Sequence, residues 1–287
     1  MTPPPSSASA VPAACGVASH ALVEVRLSEI AALRDRPSTA GGPALPPRFL
    51  RHADEHTVVG LRAVLEAISS HPRPESFTGY GVVAASCQAG RIMSARSLAL
   101  LKLRGPVSMS PHVIPQCSLH SLAGAVSVGL GMHGPNIGTG GGPDALSEGL
   151  VAALSMMHAA TVSGDERITG VWLVVTEWDE EPILDTAGDT AADPLCRALA
   201  VALEPNAGAA VSLIIHSPPN EDRAPAATDP RGDLVAFARA LTMCAEGAAL
   251  VSWSVACPWG AEVRVVRGTG AARRPVATGT LTQREAA

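Results

Sequence analysis

Residues 105–143, GPVSMSPHVIPQCSLHSLAGAVSVGLGMHGPNIGTGGGP, run for 39 positions without an Asp, Glu, Lys or Arg. Five prolines and many glycines interrupt the stretch, so it is not one membrane-spanning helix, and a loop facing water would carry charge. We therefore expect it to be buried, either in the core or against another chain. Inside it, Leu122, Val126 and Leu130 recur every four residues. Gly129, Gly131 and Gly134 spell GxGxxG, but a dinucleotide loop needs a strand before and a helix after, so this reads as a helix end and turn. Ser127 in AVSVG lies in the same helical pattern and reads as packing rather than as a nucleophile elbow. GTGGG (138–142) lacks the Lys and Ser/Thr of a phosphate loop, leaving only backbone N–H groups at the next helix start for any anion. His112, His120 and His133 have no Asp or Glu near in sequence to form a dyad, and each reads as buried, neutral and hydrogen-bonded.

Outward from this stretch, apolar periodicity marks the elements. A helix is expected from Pro47 to Ser70, with Leu61, Val64, Leu65 and Ile68 as its stripe, and a buried strand over 80–86, YGVVAAS. Pro143 and Asp144 suit the first turn of a helix over 145–158, in which Leu146, Leu150, Leu154 and Met157 share a face. VWLVV (171–175) has the pattern of a strand covered on both faces, and AAVSLII (209–215) gives another. A helix over 234–241 and strands through Val251, Trp253 and Val255 and through Val263 and Val265 close the chain. Residues 21–46 read as mixed and broken by Pro and Gly. Helices alternating with strands give an α/β class with a buried sheet. Glu177 follows a buried strand, where a carboxylate is costly unless paired, and is a structural anchor or a site residue.

The chain of 287 residues is long enough for one large domain, with 47% apolar and only 16% charged residues against a usual ~25%. A net charge of −5 and few aromatic rings exclude a nucleic-acid-binding surface. Six dispersed cysteines form no CxxC and no Cys/His ligand spacing, so neither a disulfide framework nor a metal site is indicated, and a cytoplasmic location is the expectation. The N-terminal segment has no basic residue and no apolar core of a leader, and no stretch has the length of a transmembrane span.

Residues 81–182 resemble the N-terminal half of the β-ketoacyl synthases, the thiolase-fold condensing enzymes. GVVAASCQAG (81–90) is similar to the family's glycine-rich first strand and turn. SPHVIPQCSLHSLAG (110–124) follows its S-P-x-x-x-P segment, with His120 where the family usually has Asn, and AGAVSVGLGMHGPN (123–136) continues to the G-P-N turn. VVTEWDEEP (174–182) resembles a later strand whose Glu corresponds to Glu177. The resemblance implies a thiolase-like half-fold, a mixed buried sheet flanked by helices with a short C-terminal α/β extension. With the composition and punctuation of the rest, the chain divides into a disordered tail (1–17), a ketosynthase-like domain (18–215), an exposed linker (216–233), a helix plus hairpin completing the domain (234–270) and a second tail (271–287).

In that family a nucleophilic Cys stands at a tight turn before a long helix. Here the matching segment places Thr139 or Gly141 at the position, and neither is a thiol. The family's two His and usual Lys lie in its C-terminal half, where this chain has after Glu177 only His216 and no Lys. The resemblance therefore implies a catalytically silent subunit of chain-length-factor type, without cofactor or metal. It would pair with an active β-ketoacyl synthase in polyketide, aryl-polyene or fatty-acyl synthesis and meet acyl carrier protein indirectly. His120, Val128, His133, Ile137, Thr139, Gly140, Gly141 and Gly142 are its candidates for an acyl pocket or an interface. The alternatives are an active synthase or acyltransferase using Cys87 or Cys117, and a homodimeric acyl-binding protein.

Overall fold

A computed structural model of the chain describes residues 14–35, 43–46, 48–72, 77–205, 209–216, 233–248, 253–257 and 260–267. The strands are β1 (Ala14–Arg26), β2 (Tyr80–Cys87), β3 (Asn136–Gly141), β4 (Gly170–Trp178), β5 (Leu195–Pro205), β6 (Val211–His216), β7 (Trp253–Ala256) and β8 (Glu262–Arg267). They form one eight-stranded sheet in the order β3-β2-β4-β5-β1-β6-β8-β7. β2 pairs parallel with β3 and β4, and every other pairing is antiparallel, so the sheet is mixed. The helices are α1 (Ile30–Asp35), α2 (Glu55–Ser69), α3 (Arg91–Arg104), α4 (Val113–Gln116), α5 (His120–Gly129), α6 (Ala145–Ser163) and α7 (Leu234–Ala245).

Strand alternation sorts the core into two layers. Val82 and Ala84 of β2 and Trp172 and Val174 of β4 pack with α2 and with Leu122 and Val126 of α5. Val83 and Ala85, with Leu173 and Val175, pack on the other side with Leu146, Leu150, Leu154 and Met157 of α6 and with Phe237 and Leu241 of α7. Both faces of β2 and β4 are covered, which is why these strands read as unbroken apolar runs. Gly149 lets α6 close onto β2, since a Cβ there would stand 2.6 Å from the Ala85 Cβ.

The expected α/β class, a mixed sheet with helices on both faces, is what the chain forms. Several boundaries shift. The first long helix starts at Glu55, not Pro47, because Asp54 caps it by accepting from the Thr57 N–H. β1 begins at Ala14, inside the expected tail, and runs through part of the segment read as mixed. β5 and α3 had no counterpart among the expected elements. α7 and the β7–β8 hairpin extend the same sheet through β8 on β6, while 217–232 of the expected linker, like 268–287, lies outside the described residues.

The uncharged stretch brings the largest correction. Leu122, Ala123, Val126 and Met132 are buried, and Ser127 is packed, with its hydroxyl donating to the Met132 carbonyl. GxGxxG is a helix end and turn, as expected: α5 stops at Gly129 and Gly131 has φ +62°. Much of the remainder faces outward, with Val107 100%, Ile114 82%, Val128 72% and Ile137 41% exposed. His112, His120 and His133 are exposed too, not buried. His112 instead stacks on His52, with ring centroids 5.5 Å apart. Five prolines and the small residues between them leave too little apolar bulk to draw this segment into its own chain's core, so of the two expected fates burial in the core is not met, and burial against another chain concerns a partner.

Candidate functional site

The carboxyl ends of the parallel strands β3, β2 and β4 converge on the start of α6, where Thr139, Gly140, Gly141 and Gly142 lie. In the β2–β3 register Ala85 stands beside Thr139, Ser86 beside Gly140 and Cys87 beside Gly141. Thr139 is half-buried on the side of the sheet that carries Ala85 and α6, and its hydroxyl makes no hydrogen bond among the described residues. Gly140 and Gly141 then take φ +85° and +101°. A side chain on Gly140 would also stand 2.9 Å from the Ala145 Cβ, whereas Gly142 has open space around it. Two left-handed residues thus turn the chain from β3 into α6, which starts at Ala145 after Asp144. Ser147 donates to the Asp144 carbonyl and the Glu148 N–H bonds the same oxygen.

Glu177 lies on β4 at this end of the sheet, opposite Arg197 of β5. Arg197 donates from Nε to Glu24 at 2.8 Å and holds Nη1 4.0 Å from Glu177. Burial pushes the Glu177 carboxyl up to about 7, Arg197 draws it down, and Asp233 and Asp179 push it further up. Glu177 is thus paired but not fully compensated.

Of the other candidates, His120 opens α5 and Val128 lies near its end, Ile137 points off β3, and His133 sits in the preceding turn with its N–H on the Thr78 carbonyl. His120 and His133 make no side-chain hydrogen bond to Thr139 among the described residues. The candidates thus lie along the outer edge of the sheet rather than around one reacting atom. Cys117 is half-buried, and desolvation raises its thiol, the opposite of what a nucleophile needs. Burial likewise raises Cys15, Cys196, Cys244 and Cys257. Among the described residues no group of three or more His, Cys, Asp or Glu is placed to hold a metal.

One cluster escaped the sequence reading. The first turn of α2 buries Asp54, Glu55, His56 and Thr57. Asp54 accepts from the Thr57 N–H at 2.9 Å and from the Gly90 N–H at 2.8 Å. His56 Nδ1 meets the Thr176 hydroxyl at 2.9 Å, which donates to Ser86, and the Thr57 hydroxyl donates to Ser121. Among the described residues His56 Nε2 is buried without a partner. The signal was present as Asp54 directly before an apolar-periodic helix, the pattern of an N-cap.

No family model matches the sequence, and no curated protein matches it. Solved structures similar to the chain include a ketosynthase in complex with its chain length factor from Xenorhabdus doucetiae, at 15% identity over 88% of this chain and 99% of that one, TM-score 0.49. The ishigamide ketosynthase/chain length factor is similar at 18% identity over 80% and 72%, TM-score 0.46. A β-ketoacyl synthase from Burkholderia phymatum is similar at 14% over 80% and 69%, TM-score 0.45.

Proposed function

We propose that this chain is a non-catalytic ketosynthase-like subunit, of chain-length-factor type, that pairs with an active β-ketoacyl synthase in polyketide, aryl-polyene or fatty-acyl synthesis. The turn from β3 into α6 carries the reading. Decarboxylative condensation needs a thiolate to hold the acyl chain and imidazole donors for the enolate formed as carbon dioxide leaves. At the turn where the resemblance puts that thiolate stand Thr139, with no hydrogen-bonded base among the described residues, and two left-handed glycines. Loss of such a nucleophile costs on the order of 10⁶ in rate.

The partner would cover the outer edge of the sheet. Among the described residues β3 is an edge strand, bonded to β2 on one side only; its Ile137 is exposed, as are Val128 of α5, the helix that packs on β3, and Ile114, all from a stretch of sequence without charge. Desolvating such a surface costs little, and an exposed apolar edge left open is an aggregation hazard that a permanent partner removes. An obligate interface of this kind would bury ~2,000 Å² or more. Acyl carrier protein would then meet the pair rather than this chain alone. The test is coexpression with an active β-ketoacyl synthase from the same genome, followed by mass measurement in solution. A 1:1 complex that condenses acyl and malonyl thioesters, while this chain alone does not, is expected. A stable monomer indifferent to that ketosynthase would overturn the reading, as would turnover by this chain alone that depends on acylation of Cys87 or Cys117.

A further inference from the structure

We infer that Asp54, buried at the head of α2, is a positioning residue that sets the shape of the partner face; this rests on the pairing proposed above. Asp54 is 1% exposed and spends its carboxylate on two backbone donors in different elements: Oδ1 takes the Thr57 N–H and Oδ2 the Gly90 N–H. The first bond is an ordinary helix cap. The second anchors the turn between β2 and α3, where two residues take a left-handed backbone. Gln88 sits at φ +59°, a costly conformation for a residue with a Cβ, and Gly90 at φ +68°.

From that turn the contacts run without a gap to the outer edge of the sheet. The Gln88 N–H points to the Gly141 carbonyl at 3.4 Å. Gly90 lies so close to Cys117 that a Cβ would be 2.5 Å from the Cys117 Cα. Two residues on, the Leu119 backbone presses on Gly138, where a Cβ would stand 2.3 Å from the Leu119 carbonyl oxygen, and the Leu119 side chain reaches Gly141. Backbone packed on backbone at two glycines transmits displacement, because no flexible side chain lies between to absorb it. Releasing Gly90 from Asp54 therefore frees 117–119, and with them the seat of β3. Thr57, donating to Ser121, ties the start of α5 to the same helix turn.

The two bonds of Asp54 can be separated. Asp54→Asn keeps a carbonyl oxygen for Thr57 but sets an amide NH₂ against the Gly90 N–H, and Asp54→Ser keeps a cap while being too short to reach Gly90. Hydrogen exchange on the full chain is expected to speed up at least tenfold in 88–90, 117–119 and 136–141 in both variants, with α2 protected as in wild type. Affinity for the partner ketosynthase should fall by a similar factor. Unchanged exchange in those segments would overturn the inference. So would a loss of protection spread evenly over α2 and the sheet, or failure of both variants to fold, since Asp54 would then be a stability residue only. A wild-type chain that does not pair at all defeats the proposed function, and the exchange measurement still decides the role of Asp54.

Discussion

Helix α6 and the segment from α4 to β3 are adjacent, and both are nearly free of charge, yet they meet opposite fates. α6 carries only Glu148 among its 19 residues and buries Leu146, Leu150, Leu154 and Met157 against the sheet. The segment before it carries no charge and leaves Ile114, Val128 and Ile137 in the open. The difference is periodicity. α6 offers large apolar side chains every three or four residues and Gly149 where it must close on β2, whereas the proline-broken stretch has only one such row, Leu122 and Val126, which is buried together with Ala123, Ser127 and Met132. Lack of charge tells that a surface avoids water; regular spacing tells whether the same chain covers it.

Truncation inside the buried row gives the sharpest contrast. Leu150→Ala removes a fully buried side chain and should cost ~2–5 kcal/mol of stability in denaturant unfolding. Val128→Asp and Ile137→Asp, on the exposed segment, should change the stability of the isolated chain by less than ~0.5 kcal/mol. In the complex they should cost several kcal/mol, seen as loss of the 1:1 species in sedimentation, because a carboxylate would be buried there without a partner. If Val128→Asp unfolds the chain by itself, the face is core and the comparison fails.

The glycine turn that joins the two regions tests the same contrast at single residues. Gly140→Ala forces a Cβ into a left-handed backbone 2.9 Å from Ala145 and should lower stability by ~1–2 kcal/mol or more. Gly141→Ala meets the left-handed strain with no close contact and should cost ~1 kcal/mol. Gly142→Ala should be neutral, since its φ is ordinary and nothing stands within 4 Å. Equal losses at all three positions in thermal unfolding would contradict the turn geometry.

Strong periodicity explains what could be read in the sequence. β2, β4, α6 and α7 stand close to their expected spans because each is a compact apolar run bounded by Gly, Pro or Asp. β5 went unread because LCRALAVALEP, rich in Ala and Leu and covered on both faces, shows neither alternation nor a β-branched bias. α3 went unread for the opposite reason: it buries only Ile92, so no stripe marks it. At the candidate site, Thr139, Gly140 and Gly141 were legible only through the resemblance to the β-ketoacyl synthase nucleophile turn. The links from Asp54 to Gly90 and from Thr176 to Ser86 span 36 and 90 residues, and no local pattern encodes such distant pairings.

The smallest expected effect lies where the other strands carry charge into the same layer, at Glu177. Its folded carboxyl titrates at about 7 against an ordinary 4.5, raised first by burial and then by Asp233 and Asp179, with Arg197 offsetting part of this. A carboxyl raised by folding means that the folded state holds a proton the unfolded chain has given up. Stability from this group is therefore complete below about 4.5 and is lost as pH rises through about 7. Glu177→Gln keeps the shape and removes the titration, so the variant should match wild type near pH 4.5 and exceed it at pH 8. Solvent at the partly open side chain and competition from Glu24 for Arg197 limit the gain to the order of 1 kcal/mol. The measurement is the difference in unfolding free energy between the two proteins across pH 4.5–8. A constant difference would mean that Glu177 is already ionised at the lower pH and held by Arg197. A variant less stable at pH 8 would make the ion pair with Arg197, rather than burial, the dominant influence at this strand end.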